Sequence, residues 1–242
     1  MKIGTKSVLY GAHCFLIHPW FVMFAWWKLY GFPNDIRLWV AFFVHDLGYI
    51  GKINMDGIEG ETHVELGARI MHIFDLWQRR EEILFNPSRA EINAKIEQGY
   101  KLKRAFKYWG PWLFVKWERS YKWHNFSLYH SRFYAKKDGV QFTALCVADK
   151  LAICLEPAWL YLPRVRWTGE INEYMNLAVR KKYDGEPVSK YETMSLSTKS
   201  AKDWHTGMTS YLRRWVEEHK DGREDTWTPG VKKAIDLNGV YQ

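Results

Sequence analysis

The 242-residue chain carries 35 Lys and Arg against 27 Asp and Glu, a net charge of +8, and is rich in aromatics, with 14 Trp, 14 Tyr and 13 Phe. That length holds one large domain or two small ones and buries a real core, while three cysteines in apolar segments, Cys14, Cys146 and Cys154, exclude a disulfide scaffold and suit buried thiols in a reducing compartment. Lys and Arg are spread along the chain rather than gathered in one tail, which suits an anionic substrate or a basic face touching nucleic acid or lipid.

Apolar residues recur at spacings of three and four almost throughout, and β-branched alternation is scarce, so the reading is all-α. A short helix is expected over residues 6–15. Residues 14–27 are apolar and aromatic, but His18 and Pro19 interrupt them. The uninterrupted part is far shorter than the ~20 residues of a membrane span. No small-residue cleavage site follows it. The expectation is a cytoplasmic protein without stable membrane insertion. Pro19 suits the first turn of a helix running from Trp20 to Leu29. Asn34 or Asp35 is placed to cap the next, through Trp39 and Phe43 to Asp46.

A glycine-rich loop spans residues 48–60, and a helix follows from near Glu61 to Met71, with Gly67-Ala68 small enough for close helix contact. Residues 75–110 are more polar and read as a helical insertion, with Asn86-Pro87-Ser88 starting its longer helix. Further helices are expected over about 112–129, from Phe142 to Glu156 before Pro157, over 168–183, and over 200–220. Residues 184–198 read as a loop, and the tail after Asp221 as irregular. The organisation expected is one domain, with a core of about 10–75 and 110–160, an insertion of about 75–110 and a helical C-terminal extension of about 160–242.

Polar residues inside apolar segments carry the chemistry. His45 and Asp46 sit together at the end of Leu38-Trp39-Val40-Ala41-Phe42-Phe43-Val44 and are followed at once by Leu47-Gly48. Adjacent nitrogen and oxygen ligands suit a transition metal. Asp149, flanked by Val147, Ala148, Leu151 and Ala152, is costly to bury unless it is paired or holds a metal. Lys150 is its neighbour in sequence and points about a quarter turn away, so it is not assumed to be that partner. His18 opens one helix, His63 lies near the start of another, and His124 and His130 precede the basic turn Arg132-Phe133-Tyr134-Ala135-Lys136-Lys137. His13 is an alternative to His18. His72, His205 and His219 read as ordinary histidines.

His18, Phe43-Val44-His45-Asp46-Leu47-Gly48-Tyr49 and Asp149, taken in order, resemble the HD superfamily of metal-dependent phosphohydrolases. His63, in His-Val-Glu-Leu-Gly-Ala, and His130 look like the two further histidines of its binuclear members. Ala148-Asp149-Lys150 through Glu156-Pro157 is similar to the HD-type diadenosine tetraphosphate hydrolases. The resemblance covers about residues 10–75 and 120–160.

It implies an HD-type helical bundle and two divalent metal ions, such as iron or manganese. His18, His45, Asp46 and Asp149 hold one. Asp46, His63 and His130 hold the other, with His124 as a further candidate. Asp46 bridges the pair. The implied reaction is hydrolysis of a nucleotide or related small phosphoester by metal-activated water. Arg132, Lys136 and Lys137 would bind phosphate oxygens, Lys52 is a further cation for the reaction, and Glu61 or Glu65 would orient His63. Two alternatives stand beside this: a diiron oxygenase acting on a phosphonate or polyol, and a non-catalytic metal- or nucleotide-binding protein.

Overall fold

The computed structural model describes residues 1–55, 58–104, 111–183, 199–225 and 227. The protein is mostly helical, with one small sheet. It divides into two compact units. One comprises Met1–His72 with His124–Gln242, and the other Ile73–Trp123.

The first unit begins with α1 (Ile3–Tyr10), shorter than expected because the chain turns at Gly11. α2 (His18–Tyr30) has proline in its first turn. α3 (Ile36–Val44) is capped by Asp35, whose carboxylate accepts from the Arg37 N–H at 2.9 Å. A 3-10 turn, Leu47–Tyr49, follows. The helix expected from Glu61 onward is two pieces, α4 (Ile58–Glu61) and α5 (Val64–Met71), with the break at Thr62-His63. Gly67 lets α5 lie against the end of α3. A Cβ there would stand 2.8 Å from the Val44 carbonyl and 3.0 Å from the His45 Cα.

After the second unit the chain continues with α7 (Lys122–Leu128), α8 (Arg132–Lys137) and α9 (Ala144–Leu155). α9 is apolar on nearly all sides, and eight of its residues, Asp149 among them, are buried. Such a helix belongs at the centre of a bundle, and α2 and α12 (Ala201–His219) pack against it. Pro157 ends α9 and precedes α10 (Ala158–Thr168), which carries Pro163 in its interior. α11 (Glu170–Tyr183) follows. Tyr161, Leu162, Val165, Ile171 and Trp204 form a second apolar cluster beneath α10 to α12. Glu170, fully buried, ties this region to the N-terminus by accepting from Ser7 Oγ at 2.9 Å and from the Ala12 N–H at 3.3 Å. The expected loop at 184–198 and most of the tail lie outside the described residues. Cys14, Cys146 and Cys154 are free, buried thiols. Among the described residues, no helix is long and apolar enough to cross a membrane.

The second unit corrects the expectation of a helical insertion. β1 (Trp77–Leu84), β2 (Lys101–Arg104) and β3 (Trp112–Arg119) form an antiparallel sheet in the order β1-β3-β2, with α6 (Arg89–Glu97) between β1 and β2. β3 replaces the first half of the helix expected over 112–129. α6 does start after Asn86-Pro87-Ser88, with a full capping box between Ser88 and Glu91.

Candidate metal centre

The first unit brings six of the sequence-selected side chains to one buried point. His18 is the first residue of α2. His45 ends α3 and Asp46 follows it. His63 precedes α5, His130 follows α7, and Asp149 lies mid-way along α9. All six are 1–7 % exposed. They form two groups that can each hold a metal ion: His18, His45, Asp46 and Asp149, and Asp46, His63 and His130. Within each group the ligand atoms lie within 4.8 Å of one another.

Asp46 belongs to both groups. Its Oδ2 is 3.0 Å from His45 Nε2 and 3.5 Å from His18 Nε2, while its Oδ1 is 3.6 Å from both His63 Nε2 and His130 Nε2. Asp149 completes the first group with Oδ1 at 3.0 Å from His18 Nε2 and 3.8 Å from His45 Nε2.

Three of the imidazoles are aimed by one device. His45 Nδ1 donates to the Phe42 carbonyl at 2.9 Å, His63 Nδ1 to that of Gly60 at 2.7 Å, and His130 Nδ1 to that of Ser127. Each acceptor lies three residues upstream. Such a bond fixes the tautomer and leaves Nε2 as a lone-pair donor. His63 is further held by Tyr49, whose ring stacks on it at 4.0 Å. Gly48 makes this possible, because a Cβ there would stand 1.8 Å from the His63 carbonyl oxygen.

The donor set fits a cation. His45 Nε2 and Asp46 Oδ2 are buried without a hydrogen-bond partner. His63 Nε2 and His130 Nε2 face each other at 3.3 Å. Electrostatics agree. Burial disfavours a charged His45, yet Asp46 and Asp149 outweigh it and lift its pKa to about 10. Burial also opposes ionisation of the two carboxylates, but His45 holds Asp46, and Lys150 with His18 hold Asp149, well below the usual range. His63 moves the other way: burial and the neighbouring His130 keep it neutral. Two carboxylates held ionised attract a positive ion, and a metal bound at His45 Nε2 would replace the proton that these anions favour there.

Other selected residues go elsewhere. Arg132 lies over the Trp215 ring at 5.1 Å and donates to Tyr211 at 3.3 Å, so its guanidinium is engaged with α12. Lys137 is exposed over the Tyr134 ring. Lys136 is half-buried in the last turn of α8. Lys52 donates to Thr62 Oγ1, beside His63. His124 Nδ1 is 2.9 Å from Asn125 Oδ1, and its ring meets His72; it is in neither ligand group. Glu61 accepts from Ser131 and Glu65 from Tyr134, and the partner of His63 Nδ1 is a backbone carbonyl rather than either carboxylate.

Two features escaped sequence reasoning. Lys150 bends back to place Nζ 2.6 Å from Asp149 Oδ2. The signal was present, since a buried acid needs a counter-charge and this lysine is adjacent. His13, weighed as a first ligand, stands outside both groups. Its Nδ1 is 2.9 Å from Ser7 Oγ, which in turn donates to Glu170. His13 lines a small cavity with His18, His45, Asp46 and the apolar Val8, Phe15, Pro19, Phe42, Phe43 and Leu47.

The chain matches no protein-family model, no curated protein and no solved structure.

Proposed function

We propose that the six residues hold two divalent transition-metal ions, such as iron or manganese, and that the protein is an HD-type phosphohydrolase acting on a nucleotide or related small phosphoester. The observation that supports this best is the division of Asp46, one oxygen toward His18 and His45 and the other toward His63 and His130. A carboxylate shared in this way is the natural bridge between two ions. When bound, such a pair supplies an acidified water and charge neutralisation at both oxygens of a phosphoryl displacement.

The chain's own residues do the rest. The carbonyls of Phe42, Gly60 and Ser127 keep the rings oriented. Lys150 holds Asp149 ionised. Lys52, anchored on Thr62 next to His63, brings a cation to that side of the centre for a phosphate oxygen. Arg132, engaged with α12, is not given that role.

A second reading, a diiron oxygenase, draws support from the apolar wall of the cavity beside His18 and His45, which admits a small uncharged molecule more readily than a polyphosphate. The deciding experiment is anaerobic assay of the Mn- or Co-loaded protein against a panel of nucleotides and phosphoesters. Phosphate or nucleotide release, lost in Asp46→Ala, is expected. Oxygen uptake by the iron-loaded protein with no anaerobic release would favour the oxygenase. Bound metal with neither activity would indicate a binding protein.

A further inference from the structure

The second unit carries more charge than its size suggests. Residues 73–123 contain 11 Lys and Arg against 6 Asp and Glu, a net +5 out of the chain's +8. In the sheet, Trp77 of β1 is directly opposite Arg119 of β3, and Arg79 is directly opposite Trp117. Residues opposite one another, and those two apart on a strand, share a face. Trp77, Trp117 and Arg119 therefore share one side of the sheet. Trp77 is 65 % exposed and Trp117 60 % exposed. Arg119 Nε is steadied by the Asp75 carbonyl. Lys101, opposite Val115, adds an exposed cation on the same face, which also carries Glu81.

We propose that this face binds single-stranded nucleic acid. Two large aromatic rings left in solvent on one face of a sheet mark an interaction surface. Bases stack on such rings whatever their sequence, and neighbouring cations track the phosphates. Charge complementarity selects a polyanion. Flat rings beside the Arg119 guanidinium favour stacked bases over acyl chains, which would ask for a contiguous aliphatic surface. The inference is independent of the metal reading, since the residues belong to a different unit.

The test is fluorescence anisotropy of a labelled 20-nucleotide oligo-dT and an RNA of the same length with the full chain, in EDTA. Binding is expected for the single strands, weaker for the corresponding duplex, and falling steeply with salt. Trp77→Ala with Trp117→Ala should weaken it about 10- to 100-fold without changing the salt slope, in a protein whose melting temperature is kept. Unchanged affinity in the double variant would overturn the proposal by reducing the binding to bulk charge. So would preferential binding to anionic phospholipid vesicles. So would a nucleic-acid-free dimer, seen by mass photometry, that dissociates in the double variant.

Discussion

His63 Nε2 and His130 Nε2 lie 3.3 Å apart, and both rings give their Nδ1 hydrogen to a backbone carbonyl. The two Nε2 atoms face one another at hydrogen-bond distance, where a shared cation would take a lone pair from each. Metal should therefore stabilise the folded chain. Saturation at 100 times Kd is worth about 2.7 kcal/mol. For a chain of this size that corresponds to roughly 5–10 °C in melting temperature. Calorimetry of the EDTA-treated protein before and after adding Mn or Co measures it. An unchanged melting temperature at saturating metal would count against the site.

Lys150 and Asp149 make the next case. Lys150→Met leaves a buried carboxylate without its cation. A fully buried pair broken this way costs about 3–5 kcal/mol. Because the Lys150 side chain is 23 % exposed, about 2 kcal/mol is expected here. Urea unfolding gives the loss, and Lys150→Arg should recover part of it. A neutral Lys150→Met would show that the pair contributes nothing.

The backbone beneath His63 is equally specific. Gly48→Ala would drive a methyl group against the His63 carbonyl, backbone against backbone, at a cost of about 1–3 kcal/mol. The His63 ring should shift with it, so metal content should fall along with stability. Wild-type stability and metal content in this variant would contradict the assigned packing.

How much of this was legible in the sequence depends on where each constraint lay. His18, His45, Asp46, His63, His130 and Asp149 could be selected because polar residues in apolar helical segments stand out locally. Gly67 likewise announced a close helix approach. The insertion reads as helical because Trp77-Gln78-Arg79-Arg80-Glu81-Glu82-Ile83-Leu84 is rich in helix formers. Its strand is set by pairing with β3, some thirty residues away, and local propensity does not report that. Arg132 reads as a phosphate contact because it is basic and follows His130. Its actual direction is fixed by Trp215 and Tyr211, far along the chain.

His205 gives a pH signature away from the metal centre. It is buried against Tyr161 with Nε2 lacking a hydrogen-bond partner, and burial lowers its pKa below the ordinary 6.5. The unfolded chain therefore binds a proton more readily. The stability associated with neutral His205 is present above pH 6.5 and is lost as pH falls from there through the lower folded value. His205→Phe should reduce the difference in unfolding free energy between pH 8 and pH 5. An identical pH dependence in variant and wild type would refute the assignment.

The division of Asp46 is most directly tested by metal stoichiometry. Elemental analysis after anaerobic loading with Mn or Fe and desalting should give two equivalents per chain in the wild type. Asp46→Ala should retain less than one, and His130→Ala about one, the ion held by His18, His45, Asp46 and Asp149. Full occupancy in Asp46→Ala, or a wild-type protein that retains no transition metal, would contradict a centre built on that carboxylate.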